Sequence, residues 1–131
     1  MTLFGQRIWR ILAAAAWTVF ILVLLMLPGN SVPSLPEWTL EFSPDKIVHG
    51  VLFFVHAVLL YGAMVTTTVF ASRASRIRVA ACVASLAFGG ATELLQLLAV
   101  SRSASAVDFL ADGIGACLAL CVLIVRAQRA A

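Results

Sequence analysis

The segment IVHGVLFFVHAVLLYGAMVTTTVF, from Ile47 to Phe70, decides the fold, because it is apolar and only its two histidines can carry a charge. A helix needs about 20 mostly apolar residues to cross the hydrocarbon core of a membrane. Three further apolar runs approach that length, at residues 8–27, 79–100 and 107–125. We therefore predict an all-α, polytopic membrane protein that forms a four-transmembrane-helix bundle.

Composition favours this class over a soluble domain. Of the 131 residues, 63% are hydrophobic and 11% are charged, and the mean hydropathy is +1.06. Soluble domains are on average about 45–50% apolar. The four runs occupy most of the chain, so we predict a single transmembrane domain over residues 1–131.

The basic residues indicate membrane orientation, and we expect no nucleic-acid partner. Cytoplasmic loops are enriched in lysine and arginine. In a four-span chain, one side of the membrane receives Arg7, Arg10, Arg73, Arg76, Arg78, Arg126 and Arg129. Only Lys46 and Arg102 fall on the other side, so we predict that both termini are cytoplasmic.

Two features near the N-terminus leave alternatives open. The first run also resembles a signal peptide, because arginines precede its apolar core, but no clear cleavage site follows. Three spans would remain if this run were removed. The loop from Pro28 to Lys46 contains Trp38, which we expect to lie at the membrane surface.

Ionisable residues lie at the outward ends of three predicted spans. Asp45 and His49 are four residues apart, as are Asp108 and Asp112, so each pair shares a helix face. We expect Glu93 to lie roughly 10 Å inside the end of the third span, at 1.5 Å per residue. A charged side chain in hydrocarbon costs about 2.5 to 3.5 kcal/mol, so these groups should turn inward and meet.

We predict that they form an outward-facing polar cluster that binds a ligand. Its predicted binding residues are Asp45, Lys46, His49, Glu93, Gln96, Arg102, Ser105, Asp108 and Asp112, with Ser103 nearby. The alternative is a structural network that only locks the helices together.

Small residues that recur every fourth position predict faces where helices pack closely. Two such rows, in the third and fourth spans, are Ala81, Ser85, Gly89 and Ala111, Gly115, Ala119. We expect them to press these two helices together. His56 should be a hydrogen-bonded core residue, and Cys82, Cys117 and Cys121, whose spacing fits no zinc pattern, should be buried packing residues.

The ordered polar residues resemble the VanZ-like family of small bacterial membrane proteins, named for a teicoplanin-resistance protein. The similar segments are SPDKIVH, from Ser43, and ELLQLLAVSRSASAVDFLADGIGA, from Glu93. The family pattern corresponds here to Asp45, Lys46, His49, Glu93, Gln96, Arg102, Ser105, Asp108 and Gly115. Asp112 stands where the family has Asn, Phe53 where many relatives have Tyr, and Ser101 where Gly is common.

The resemblance implies a role in the cell envelope or in glycopeptide resistance, and a location in the bacterial inner (cytoplasmic) membrane. It implies no mechanism. From the residues, we predict binding of a lipid-linked envelope precursor or a phospholipid headgroup. Lys46 and Arg102 could hold a phosphate, while the acids meet amines or hydroxyls.

Other functions stay open at this point. An intramembrane enzyme could use Glu93, or an aspartate near His49, as acid or base on a lipid-linked substrate. Neither a nucleophile elbow nor a His-Glu-x-x-His motif nor a phosphate loop is present. We expect no cofactor and no metal, although His49, Glu93 and Asp108 could hold an ion. A membrane scaffold, a partner subunit and a homodimer are further possibilities, whereas transport would need a polar path across the membrane.

Overall fold

The computed structural model describes residues 3–27, 44–67, 74–98 and 105–129. Within these ranges the chain forms four α-helices and no strand: α1 Leu3–Met26, α2 Pro44–Thr67, α3 Ala74–Gln96 and α4 Ala106–Arg129. All four are long and apolar enough to cross a membrane. The predicted all-α four-helix fold is confirmed, and the chain is a multi-pass membrane protein.

Several predictions concern residues outside the described ranges. These are the surface position of Trp38, the cation Arg102 and its neighbour Ser103, the family position Ser101, and Arg73. They stay predictions.

The helix boundaries differ from the apolar runs, most clearly at the arginine-rich ends. α1 begins at Leu3 and α3 at Ala74, so Arg7, Arg10 and Arg76 lie inside helices. Hydropathy reports transfer from water, whereas arginine is a good helix former whose long stem can run along apolar surface. α4 likewise continues past the predicted end, to Arg129.

The connection between α3 and α4 begins earlier in the chain than the apolar runs predict. α3 ends at Gln96, where the amides of Leu97 and Leu98 donate to carbonyls three residues earlier, at 3.3 Å and 2.9 Å. Such bonds tighten a last helical turn. α4 then opens with Ser105 as its N-cap, because the Asp108 amide donates to the Ser105 hydroxyl at 3.2 Å. The span predicted to end at residue 100 therefore ends four residues earlier.

α2 is the central helix, packed against α1, α3 and α4, and its most extensive contact is with α4. A Cβ placed on Gly115 would overlap the backbone carbonyl group of Gly50, so the two helices approach at the backbone. Gly115 belongs to the small-residue row of α4, which was expected to face α3. That expectation is wrong for Gly115, since spacing identifies a packing face but not the helix that covers it.

The row on α3 faces two helices. Ser85 hydrogen bonds to His56 of α2, and a Cβ on Gly89 would meet Asp112 of α4 at 3.0 Å. His56 is 2% exposed and also bonds Thr18 of α1 at 3.1 Å, so its predicted role as a hydrogen-bonded core residue is confirmed.

The cysteine prediction holds for one residue of three. Cys82 is buried and its thiol donates to the Ala116 carbonyl at 3.4 Å, whereas Cys117 and Cys121 are exposed on the outer face of the bundle. In a membrane an exposed apolar position faces lipid, so sequence hydropathy does not distinguish it from the core.

The bundle has one basic end and one mixed polar end. The beginnings of α1 and α3 and the end of α4 carry arginines, among them Arg7, Arg76 and Arg129. The beginnings of α2 and α4 and the end of α3 lie at the opposite end, with Asp45, Glu93, Asp108 and Asp112. The enrichment of arginine on cytoplasmic sides would place this polar end outward.

Candidate functional site

A buried hydrogen bond between α2 and α4 lies at the centre of the polar end. The Nδ1–H of His49 donates to Oδ1 of Asp112 at 2.9 Å, and the two residues are 1% and 0% exposed. A carboxylate can only accept, so this bond fixes the proton on Nδ1 whenever Asp112 is ionised. His49 and Asp112 lie in the second turn of their helices, which brings them to the same depth.

Glu93 of α3 lies beside the His49–Asp112 hydrogen bond. It is 6% exposed, and one of its carboxylate oxygens accepts from the Ser105 backbone amide at 2.6 Å. Ligand atoms of His49, Glu93 and Asp112 lie within 4.8 Å of one another. The three helices therefore meet through these side chains, although Glu93 lies in the last turn of α3 and not about 10 Å inside it.

A second, more exposed group lies beside the first. Lys46 Nζ is 3.4 Å from Asp108 Oδ1, with the two side chains 38% and 14% exposed. Asp45, His49 and Asp108 also have ligand atoms within 4.8 Å of one another. His49 therefore connects the buried group with the exposed one.

Two predicted binding residues make contacts that hold the fold together. Gln96 is 2% exposed, and its amide reaches the Leu25 carbonyl of α1 at 3.5 Å. The Ser105 hydroxyl caps α4, and its amide holds Glu93. The Ser-x-x-Asp spacing from Ser105 to Asp108 is a capping signal that could have revealed this role in the sequence.

The buried carboxylates keep hydrogen-bonding capacity that no described residue uses. Oε1 of Glu93 and Oδ2 of Asp112 are buried, and each is without a hydrogen-bond partner in the described part of the chain. Buried polar atoms are nearly always paired. The two oxygens therefore mark a place where a cation or a donor would be stabilised.

Gly89 makes room for one of these carboxylates. A Cβ on Gly89 would lie 3.0 Å from Asp112 Oδ2 and 3.2 Å from the ring of Phe53. Phe53 is fully buried and packs against Phe88 and His56. Its ring is the apolar surface against which the polar cluster packs.

An apolar groove runs from the polar end along the outer face of α2 and α4. Its volume is about 410 Å³. It is lined by Lys46, Ile47, Gly50, Val51, Phe54, Ala111, Ile114, Gly115 and Leu118. Lys46 is the single charged residue among these described lining residues and lies at the polar end of the groove. Gly50 was not singled out in the sequence, although a glycine beside His49 in an apolar helix is a signal of close helix approach.

Comparison with known proteins does not assign the chain to a family. No family model matches the chain, and no curated protein or solved structure shows significant similarity to it. The resemblance to the VanZ-like family therefore stays a prediction that rests on the ordered polar residues.

Proposed function

We propose that this protein binds a membrane lipid through its phosphate group, with the phosphate at Lys46 and a hydrocarbon chain in the groove between α2 and α4. One observation carries the proposal: a lysine lies at the polar end of an otherwise apolar groove. A lipid phosphate has the same arrangement, a charged head joined to an apolar chain. Envelope precursors carried on a lipid phosphate and ordinary anionic phospholipids share this chemistry.

The groove has suitable dimensions for part of a lipid chain. From Lys46 to Phe54 the axis of α2 rises by about 12 Å, and from Ala111 to Leu118 that of α4 rises by about 10 Å, at 1.5 Å per residue. The groove therefore covers less than half of the roughly 30 Å hydrocarbon core. Ile114 in its wall is 62% exposed, so a chain can enter sideways from the bilayer.

The headgroup site combines a cation with acids. The pair between Lys46 and Asp108 is long, at 3.4 Å, and partly exposed, so it adds little stability and leaves the ammonium group available to a phosphate. Asp45 and Asp108 can accept hydrogen bonds from hydroxyl or amine groups of the same headgroup. Arg102 is our predicted second cation.

The resemblance to the VanZ-like family supports an envelope lipid as the ligand and the bacterial cytoplasmic membrane as the location. With the arginine-rich end cytoplasmic, the headgroup site would face the outer surface. This is the side on which lipid-linked envelope precursors are consumed.

The test is lipid binding by the purified chain in detergent, measured by native mass spectrometry. The lipid probes are phosphatidylglycerol, a polyprenyl phosphate and phosphatidylcholine, with inorganic phosphate as competitor. Losing a charge-assisted hydrogen bond costs about 1.5–3 kcal/mol. Lys46→Ala should therefore weaken binding by roughly tenfold or more. Stronger retention of polyprenyl phosphate than of phosphatidylglycerol would identify the precursor class, and the reverse would identify phospholipid.

A matched pair of substitutions tests the groove. Val51→Trp fills the groove, whereas Leu110→Trp adds the same ring to the separate face between α3 and α4. The two positions are 55% and 62% exposed, so both should fold. We expect only Val51→Trp to reduce binding. Wild-type affinity in both Lys46→Ala and Val51→Trp would refute the proposal.

A second candidate, an enzyme acting on a lipid-linked substrate, is favoured by the His49–Asp112 hydrogen bond. A carboxylate that orients an imidazole is a recurrent arrangement in acid–base catalysis. Incubation with a radiolabelled polyprenyl-linked precursor, followed by chromatography, would reveal turnover. We expect His49→Gln to abolish any product, and absence of product from the wild-type protein would remove this candidate.

A further inference from the structure

Three buried side chains from three helices form a compact set of metal-ligand atoms. His49 of α2, Glu93 of α3 and Asp112 of α4 offer one imidazole nitrogen and two carboxylate oxygens within 4.8 Å of one another. Their exposures are 1%, 6% and 0%. We propose that these three residues bind one divalent transition-metal ion, of the class of Zn²⁺ or Mn²⁺.

The distances fit a small divalent ion. Zinc–nitrogen and zinc–oxygen bonds are about 2.0–2.2 Å long, so two neighbouring ligand atoms on one ion lie roughly 3 Å apart. The His49 Nδ1 and Asp112 Oδ1 atoms are 2.9 Å apart. An ion bound at Nδ1 would displace the proton of this hydrogen bond to solvent, and the neutral imidazole would keep its proton on Nε2. An ion equally distant from three atoms that are at most 4.8 Å apart lies within about 2.8 Å of each, so side-chain shifts below 1 Å suffice.

Unused ligand atoms provide an independent indication. Glu93 Oε1 and Asp112 Oδ2 are buried without a hydrogen-bond partner in the described ranges. Asp112 Oδ2 lies over Gly89, one helical turn before Glu93 on the same face of α3. Asp112 Oδ2 therefore lies against the face of α3 that carries Glu93, where an ion could meet both carboxylates.

The charge balance also favours a cation. Among the described residues, Lys46 is the one lysine or arginine at this end of the bundle, and it pairs with Asp108 outside the buried set. Among the described side chains, His49 is thus the only one beside Glu93 and Asp112 that can carry a positive charge. Carboxylates this deeply buried are stabilised by pairing or by a metal.

The donor set selects the class of ion. Imidazole nitrogen suits zinc, iron, copper and nickel, and carboxylates suit manganese and magnesium, so a mixed set favours Zn²⁺ or Mn²⁺. Ca²⁺ and Mg²⁺ prefer oxygen ligands alone and should bind more weakly. Among the described residues no thiol belongs to this set, and Cys117 and Cys121 are exposed on the outer face of the bundle.

This site shares no described residue with the lipid groove, so the two proposals can fail separately. Lys46 and Val51 line the groove and contribute no atom to the buried set. Lys46→Ala and Val51→Trp should therefore not weaken metal binding, whatever they do to lipid binding.

The test uses the full chain in detergent, stripped with a chelator and titrated with Co²⁺, Zn²⁺ and Mn²⁺. We expect one equivalent of bound metal by elemental analysis and visible Co²⁺ absorption bands that report the ligands. Since perturbing even an outer-shell partner of a metal costs about 10- to 100-fold in affinity, Glu93→Gln and Asp112→Asn should each lose at least about tenfold.

Asp45→Asn is the matched control, because Asp45 belongs to the second, exposed group with His49 and Asp108. It should lose much less metal affinity than Glu93→Gln, because Asp45 contributes no ligand atom to the buried set. Circular dichroism and gel filtration without metal would show which variants are folded. If Asp112→Asn does not fold, Glu93→Gln alone tests the proposal. Glu93 lies in the last turn of α3, where a substitution disturbs the packing of the bundle less.

Three results would overturn the proposal. One is a stripped wild-type chain that takes up no stoichiometric metal, which would mean that protein charges alone balance the cluster. Another is wild-type affinity in folded Glu93→Gln. The third is a loss in Asp45→Asn equal to that in Glu93→Gln, which would move the site to the exposed group.

Discussion

Replacing Gly115 by alanine tests the close approach of α2 and α4, which brings His49 to Asp112. The added Cβ would overlap the backbone carbonyl group of Gly50, which cannot rotate away as a side chain could. Overpacking costs about 1–3 kcal/mol, and we expect the upper end here. Alanine is better than glycine in a helix by about 1 kcal/mol, so the net loss of stability should be about 2 kcal/mol.

Gly62 of α2 provides the matched control, because a Cβ there would have no neighbour within 4 Å. Gly62→Ala should gain up to about 1 kcal/mol from helix propensity. The two variants should then differ by about 3 kcal/mol, which is more than a hundredfold in the unfolding equilibrium constant.

The assay is equilibrium unfolding in mixed micelles with increasing sodium dodecyl sulfate, followed by circular dichroism. A Gly115→Ala variant as stable as Gly62→Ala would refute the backbone contact between α2 and α4. If both variants lost the same amount of stability, the loss would be a general effect of alanine, and this too would contradict the role assigned to Gly115.

Three smaller changes test neighbouring contacts by the same unfolding assay. Gly89→Ala should cost about 1 kcal/mol, since the new Cβ would press on the Asp112 carboxylate, and a neutral result would contradict that packing. Ser85→Ala should cost about 1–3 kcal/mol, because it removes the partner 3.0 Å from the buried His56 Nδ1, whereas wild-type stability would mean that water replaces the hydroxyl. Trp17→Phe removes a 3.1 Å hydrogen bond from α1 to a carbonyl of α2 and should cost about 1 kcal/mol, with an unchanged midpoint arguing against this link.

The number and class of the helices could be predicted because the membrane makes apolar length decisive. A spanning segment must satisfy its backbone hydrogen bonds internally, so four long apolar runs leave little choice but four helices. Because the prediction used apolar length alone, it placed the helix ends incorrectly. Leu97 and Leu98 are apolar yet lie beyond α3, because hydropathy carries no information about where the backbone hydrogen bonds change.

The polar cluster could be predicted in outline from i to i+4 spacing. That spacing put Asp112 on the face of Asp108, and burial cost implied that the acids would meet. It could not assign individual partners. Gln96 shares a face with Glu93 on α3, but it reaches α1 because that neighbour lies against the end of α3. Such assignments depend on the packing of helices, which spacing within one helix does not encode.

The close packing of α2 and α4 was missed for a related reason. Gly115 was recognised as one of a row of small residues, but its partner Gly50 is a single glycine without a row. One small residue on each helix is enough for contact when the crossing point falls on both. The crossing point follows from the assembled bundle and not from either sequence alone.

The two oxygens of Glu93 differ in their surroundings, and this limits what an amide can imitate there. One oxygen accepts from the Ser105 amide, so in Glu93→Gln the carbonyl oxygen must take that position. The NH₂ group then occupies the place of the free oxygen and presents donors where the native side chain presents an acceptor. The substitution therefore does more than remove a charge: it reverses the polarity of one wall of the cluster, and a cation would meet hydrogens there.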